Sequence, residues 1–296
     1  MVHNVKRTAR STLRRVLHTT YDAVDRGQRT LPALVPPRQI NPNIGFTPRR
    51  GDYAREFTTS GDRVAAMLKS YADLQPDQHV LDIGSGIGRI ARSLTTYLSN
   101  DGRYRGFDVD PRAVAWCQRS YSRFPNFLFA YAPVGYVNVR GRGTIRGEDL
   151  VFPYADATFD LAFSMSVYTH LNRATVDHYL AETSRVLRPG GMCVNTFFVM
   201  DGFAVGAMHS GRADRRYVSQ GDGVYVADLD NPNFGIGFTP DVINTFHETH
   251  GLTIVPPIRF GTWSGRKVES FVYQDVVVAR KGTANTEPNA TAEELR

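Results

Sequence analysis

The chain has 296 residues, 42% of them hydrophobic, which is enough for one large domain or two small ones. No apolar run approaches the ~20 residues of a membrane-spanning helix, and the basic opening segment lacks a signal peptide's apolar centre, so the expected location is cytoplasmic. The net charge of +6 gathers at the start, where residues 1–50 hold ten Lys or Arg against Asp22 and Asp25.

In chain order, residues 3–24 could form a helix with Val5, Leu13, Val16 and Leu17 roughly on one side. Pro32, Pro36, Pro37 and Pro42 then deny helix and central strand, which makes 1–50 a basic arm and linker. Charge runs are usually solvated extensions; the alternatives are weak contact with an anionic membrane surface or with nucleic acid. Val64, Ala65, Met67, Leu68 and Tyr71 recur at helical spacing within 57–74. From residue 79 strand and helix alternate. "HVLDIG", "YRGFDVD", "FLFAYAP", "FDLAFSMS" and "MCVNTFFV" are expected strands, and "GRIARSLTTYL", "PRAVAWCQRSYSRF" and "RATVDHYLAETSRVL" expected helices, the last closed by "RPGG". Residues 200–237 read as an insertion rich in Gly and Asp. "TPDVINTFHETHG" follows as a helix with a Thr cap and a Gly stop, then "LTIVPPIRFGTW" and "ESFVYQDVVVARK" as closing strands. The main domain spans 51–281, and the 282–296 tail has too little to bury to order itself. Alternation of this kind predicts an α/β fold with a doubly wound, mostly parallel sheet, whose ligands bind beyond the carboxyl ends of the strands.

The turn after the first strand, "VLDIGSGIGR", lies at that place. A dinucleotide site would carry G-x-G-x-x-G; here the glycines are Gly84, Gly86 and Gly88, with Arg89 where the third is expected. Asp82 stands two residues ahead, and a carboxylate there works against a pyrophosphate. A cationic ligand is better served. S-adenosylmethionine (SAM) has a sulfonium, an ammonium and no phosphate, and its positive amino acid end would lie near Asp82. At the end of the second strand, Asp108 is the candidate for the two ribose hydroxyls, with Val109 beside it, and Asp110 the cap of the next helix.

At this point the chain resembles the class I SAM-dependent methyltransferases, in particular bacterial enzymes acting on small molecules and sugars. The residues carrying the resemblance are "VLDIGSGIGR", "GFDVD", "FPYADATFDLAFSMSVYTHL", "SRVLRPGGMCVNTFF" and "VYQDVVVARK", in the family's order over roughly 60–281. It implies a seven-stranded, Rossmann-like sheet whose last strand is antiparallel. It also implies SAM as cofactor, held by Asp82, Gly84, Ser85, Gly86, Gly88, Arg89, Asp108 and Val109, with Ser164 and Met165 nearby. Related enzymes often place an Asp after the third strand, beside adenine; here that strand ends "FAYAPVGY", and only Glu148 and Asp149, further on, offer an acid.

The acceptor should face the ends of the fourth to sixth strands. His170 is the candidate base, since its pKa suits work near neutrality, and Tyr168 the second candidate; His170 as a helix cap is the structural alternative. His209 in the insertion, and Trp263 and Arg266 in "FGTWSGR", are candidate acceptor contacts, while Asp275 reads as a structural acid. No metal is expected: the fourth and fifth strands end without acids, and the chain's two cysteines, Cys117 and Cys193, sit among apolar neighbours. A small-molecule, saccharide or glycolipid acceptor methylated at oxygen is the leading expectation. A nucleic-acid or ribosome-associated methyltransferase and a silent SAM-binding module are the alternatives. The absence of a base-methylating "PP" signature argues against nucleic acid. Oligomeric state is left open.

Overall fold

The structure is a computed structural model that describes residues 53–135 and 143–283. The basic arm, and with it the expected membrane contact, lies outside the described residues, as does the tail from 284 on.

Helix α1 (Tyr53–Ala72) leads into β1 (His79–Ile83), α2 (Arg89–Leu94), β2 (Arg103–Asp108), α3 (Pro111–Ser120), β3 (Phe127–Tyr131) and β4 (Phe159–Ser164). Then come α4 (Arg173–Val186) and β5 (Leu187–Phe197). The insertion holds α5 (Gly202–His209), β6 (Val218–Gly221), β7 (Val224–Val226) and β8 (Ile236–Phe238). The chain closes with α6 (Pro240–Thr249), β9 (Leu252–Ile254) and β10 (Asp275–Lys281). The main sheet has seven strands in the order β3-β2-β1-β4-β5-β10-β9. β1 pairs in parallel with both β2 and β4, and only β10 runs against its neighbours β5 and β9. The strand order therefore reverses at β1, so a crevice opens beyond the carboxyl ends of β1 and β4.

Alternation along the strands explains the layers. Leu81 and Ile83 of β1 join Phe107, Phe152, Tyr179 and Leu180 in the core on one face of the sheet. Val80 joins Met67, Leu68, Leu94 and Tyr104 on the other. Buried on both faces, β1 has no solvent-facing residue after His79.

Three elements differ from the expectation. "RPGG" is not a helix stop but the entry to β5, where the pairing with β4 shifts register between Phe159 and Leu161. The last two strands are shorter than their apolar runs, because Pro256 and Pro257 bring no N–H to a ladder; 255–274 cross back irregularly, with one bridge between Arg259 and Val276. The insertion is a folded unit. β6, β7 and β8 form their own antiparallel sheet, and Phe198, Met200, Ala204, Met208, Tyr217 and Trp263 make a third core beneath it. No helix among the described residues is long and apolar enough to cross a membrane.

Candidate active site

The three glycines of the turn do different work. Gly84 N and Ser85 N both donate to Phe107 O at 2.9 Å, which folds the turn back onto β2. All three glycines have positive φ: 78° at Gly84, 52° at Gly86 and 73° at Gly88. A Cβ on Gly84 would lie 2.4 Å from Val167 Cγ2, and one on Gly88 2.8 Å from the Tyr121 ring. A Cβ on Gly86 would meet nothing within 4 Å. Gly84 and Gly88 are thus packing positions, while the Gly86 backbone faces open space that a ligand can approach.

Asp108 holds that open position in place. Gly86 N donates to its Oδ2 at 2.7 Å and Asp110 N to its Oδ1 at 2.8 Å. Burial raises its pKa, against the lowering effect of these amides. Each carboxylate oxygen keeps a lone pair for a further donor. Asp110 caps α3, accepting from Arg112 N at 2.9 Å, as its place before Pro111 indicated.

Asp82 lies deeper than expected, at 1% exposed. Tyr104 Oη donates to its Oδ2 at 2.5 Å, whereas Oδ1 is buried and has no hydrogen-bond partner among the described residues. Burial pushes its pKa up to about 7, against the Tyr104 hydrogen bond and the nearby Arg89 charge. An orphaned buried acceptor is costly, and a cation above the turn would offset that cost.

Beyond β4 a second group of residues forms a closed ring of contacts. Ser166 has φ +60 and is exposed; its Oγ donates to Gln274 Oε1 at 2.9 Å. The ring of Tyr273, which precedes Gln274, is centred 6.5 Å from that of Phe198. The Arg215 guanidinium lies 5.6 Å from the ring centres of both Phe198 and Phe234. Asn233, beside Phe234, accepts from His170 Nδ1 at 2.9 Å. His170 N returns to Val167 O at 2.9 Å, one residue from Ser166. A carbonyl only accepts, so the contact with Asn233 puts the proton on Nδ1 and leaves Nε2 with its lone pair. Burial, reinforced by the Arg215 charge, holds the His170 pKa below 6.5, although the Asn233 hydrogen bond acts the other way.

A family model described as "Methyltransferase domain" matches residues 81–195, from inside β1 to inside β5. Residues 81–195 thus carry a methyltransferase domain. Among relatives, it is 28% identical over 126 residues to an O-methyltransferase of Pyrenophora dematioidea, covering 43% of this chain and 41% of that one. It is 30% identical over 122 residues to phthiotriol/phenolphthiotriol dimycocerosates methyltransferase 1 of Mycobacterium ulcerans (strain Agy99), covering 40% and 37%. The chain thus spans about two fifths of the length of each of these relatives. The PH0226 protein of Pyrococcus horikoshii OT3 shares the fold, with a TM-score of 0.50 at 16% identity, over 79% of this chain and 92% of that one.

Several expected contacts move. Ser164 is fully buried and donates to Asn195 Oδ1 at 2.9 Å, and Met165 packs in the core, because β4 stays inside the sheet to its end. The exposed residue there is Ser166. Ser85 turns its side chain toward Gly106 of β2, and its N–H is already bonded to Phe107 O. Tyr168 is fully buried against Tyr179 and Phe197, and burial raises its pKa, so it is a core residue rather than a catalytic one. Trp263 is also fully buried; its Nε1 donates to Asp275 Oδ2 at 2.6 Å, so it does not line a substrate surface. Asp275 also accepts from Val199 N and Gly261 N at 2.8 Å each, which makes it the satisfied structural acid. Arg266 pairs with Asp201, the cap of α5, and its guanidinium lies 3.9 Å from the Phe260 ring centre and 4.3 Å from that of Phe203. It fastens the insertion and is not left for an acceptor. His209 is exposed at the end of α5, outside the ring of contacts.

Proposed function

We propose that this protein transfers a methyl group from SAM to a hydroxyl of a small-molecule, saccharide or glycolipid acceptor. The observation that carries the reading is the His170 hydrogen bond: Nδ1 donates to Asn233 O, which leaves Nε2 with the lone pair of a neutral imidazole in the segment that follows β4. The cofactor site fits SAM on three counts. The Gly86 backbone is open to approach, Asp108 has lone pairs for ribose hydroxyls, and Asp82 Oδ1 is an unpartnered acceptor for positive charge.

When bound, SAM supplies a methyl group already activated on a sulfonium. The chain then has two tasks. The ring from Ser166 through Arg215 to His170 orients the acceptor, which converts an encounter into an aligned displacement. His170 Nε2 takes the proton that leaves the hydroxyl as the new bond to carbon forms. Such general-base help is worth ~10²–10⁴-fold. We place the reaction in the cytoplasm, on the composition. Where the acceptor is lipid-linked, the basic arm would meet its anionic membrane surface. The test is incubation of the protein with SAM labelled in its methyl group and fractionated cell extract. Label in an extract component, with matching S-adenosylhomocysteine, supports the reading; acceptor-independent SAM cleavage alone opposes it.

A further inference from the structure

Arg215 is the one member of the ring whose charge the mechanism above does not use. It is half-buried within the insertion, with the ring centres of Phe198 and Phe234 each 5.6 Å from its guanidinium, and its side chain interacts with those of Tyr217 and Tyr273. Asp214, its chain neighbour, interacts with Tyr273, and its N–H donates to Trp263 O. No carboxylate among the described residues forms an ion pair with Arg215. The contrast with Arg266 is direct: that guanidinium lies between two aromatic rings as well, but Asp201 neutralises it. A partly desolvated cation without a direct ion pair is costly, and a guanidinium has five N–H donors, more than two tyrosine side chains use, which leaves N–H for a planar or tetrahedral oxyanion. Arg215 and His170 are tied to adjacent residues, the one at the Phe234 ring and the other at Asn233 O, which brings the two side chains near one another.

We propose that the acceptor is an acid: a carboxylate or phosphate on it pairs with Arg215 while its hydroxyl faces His170. This rests on the methyl-transfer reading for its purpose, but its test does not use methyl transfer. Phenyl phosphate, benzoate and the neutral benzyl alcohol are each titrated by calorimetry into the protein saturated with S-adenosylhomocysteine. At least one anion should bind and the alcohol should not, and the stronger of the two anions tells phosphate from carboxylate. Arg215→Gln should weaken the anion about tenfold or more, while Arg215→Lys, which keeps the charge and loses the fork, falls between. Melting temperature and S-adenosylhomocysteine affinity of both variants should match the wild type. Benzyl alcohol binding as tightly as the anions, no binding of either anion, or anion binding that survives Arg215→Gln would each overturn the proposal. If the variants fail to fold, the three-ligand comparison on the wild type still decides. If S-adenosylhomocysteine itself does not bind, the methyl-transfer reading fails, and the same titration of the ligand-free protein still reports on Arg215.

Discussion

His170 and Asn233, 63 residues apart, meet through a 2.9 Å contact between an imidazole Nδ1 and a backbone carbonyl. The contact joins the turn after β4 to the folded insertion. It sets the tautomer of the candidate base from outside the sheet, so the insertion is part of the site rather than an ornament on it.

His170→Ala should therefore lower the transfer rate by ~10²–10⁴-fold with little change in SAM affinity. The active form is the neutral imidazole, and the folded pKa lies below 6.5. The wild-type rate should be flat above that value and fall as pH drops through it. A pH–rate profile with no acid limb, or full activity in His170→Asn, would make His170 a structural residue.

Gly84→Ala and Gly86→Ala should part company. The first drives a methyl into Val167 and should cost several kcal/mol of stability, on the order of an overpacked core. The second meets no neighbour and pays only for φ +52, ~1–2 kcal/mol. It should fold yet bind SAM poorly, since its methyl occupies the approach to the turn. Thermal melts and calorimetry on both variants check this.

Asp108→Ala should weaken SAM binding by ~1–3 kcal/mol, the range for hydrogen bonds to a charged group. Part of that loss reflects the turn itself, because Asp108 also holds the amides of Gly86 and Asp110. Asp108→Asn keeps one acceptor and should fall between. Unchanged calorimetric affinity in a folded variant moves the ribose contact elsewhere.

Arg266→Ala should loosen the insertion without touching the cofactor side. Its partner Asp201 and Phe203 belong to the insertion, and Phe260 to the segment between β9 and β10. The expected result is a raised acceptor KM and lowered kcat with SAM affinity retained. Loss of SAM binding in a folded variant would assign the insertion to the cofactor pocket instead.

His247 gives a stability signature. It is fully buried, and burial lowers its pKa to about 4, with His250 contributing and the Ile243 hydrogen bond opposing. The unfolded chain takes up that proton near 6.5 and the folded one only near 4. Its contribution to stability is thus complete above 6.5 and falls with pH toward 4, by up to about 3 kcal/mol. Asp82 and Asp275, raised to about 7 and about 6, act in the opposite sense over the same range. The difference in unfolding free energy between wild type and His247→Gln, measured from pH 7 down to 4.5, isolates the histidine. A pH-independent difference would contradict its buried neutral state.

What could be read from the sequence was mostly local. The glycine turn, the Asp110 cap and the alternation through β5 depend on residues within a few positions of one another. The side-chain assignments that moved depend on distant neighbours. Ser164 and Met165 look like site residues until β5 covers them, and Trp263 looks free until Asp275 and Phe198 enclose it. Arg266 looked like an acceptor contact because Asp201, 65 positions earlier, gives no sign of its partner. Ser166 carries no local signal, because nothing in "SMSV" marks a serine with positive φ, and Gln274, its partner, is 108 residues away. Arg215 was one basic residue among several in the insertion until two aromatic rings singled it out.

The proposed function requires one crevice in which the β1 and β2 ends would hold SAM and the Ser166–His170 side would receive the acceptor. A crystal structure with S-adenosylhomocysteine tests this most directly. The account predicts ribose hydroxyls on Asp108, the adenosyl group passing over Gly86, the ammonium on the side of Asp82, and the sulfur opening toward His170 Nε2. A ligand bound elsewhere, or bound here with its sulfur directed away from His170, would contradict it.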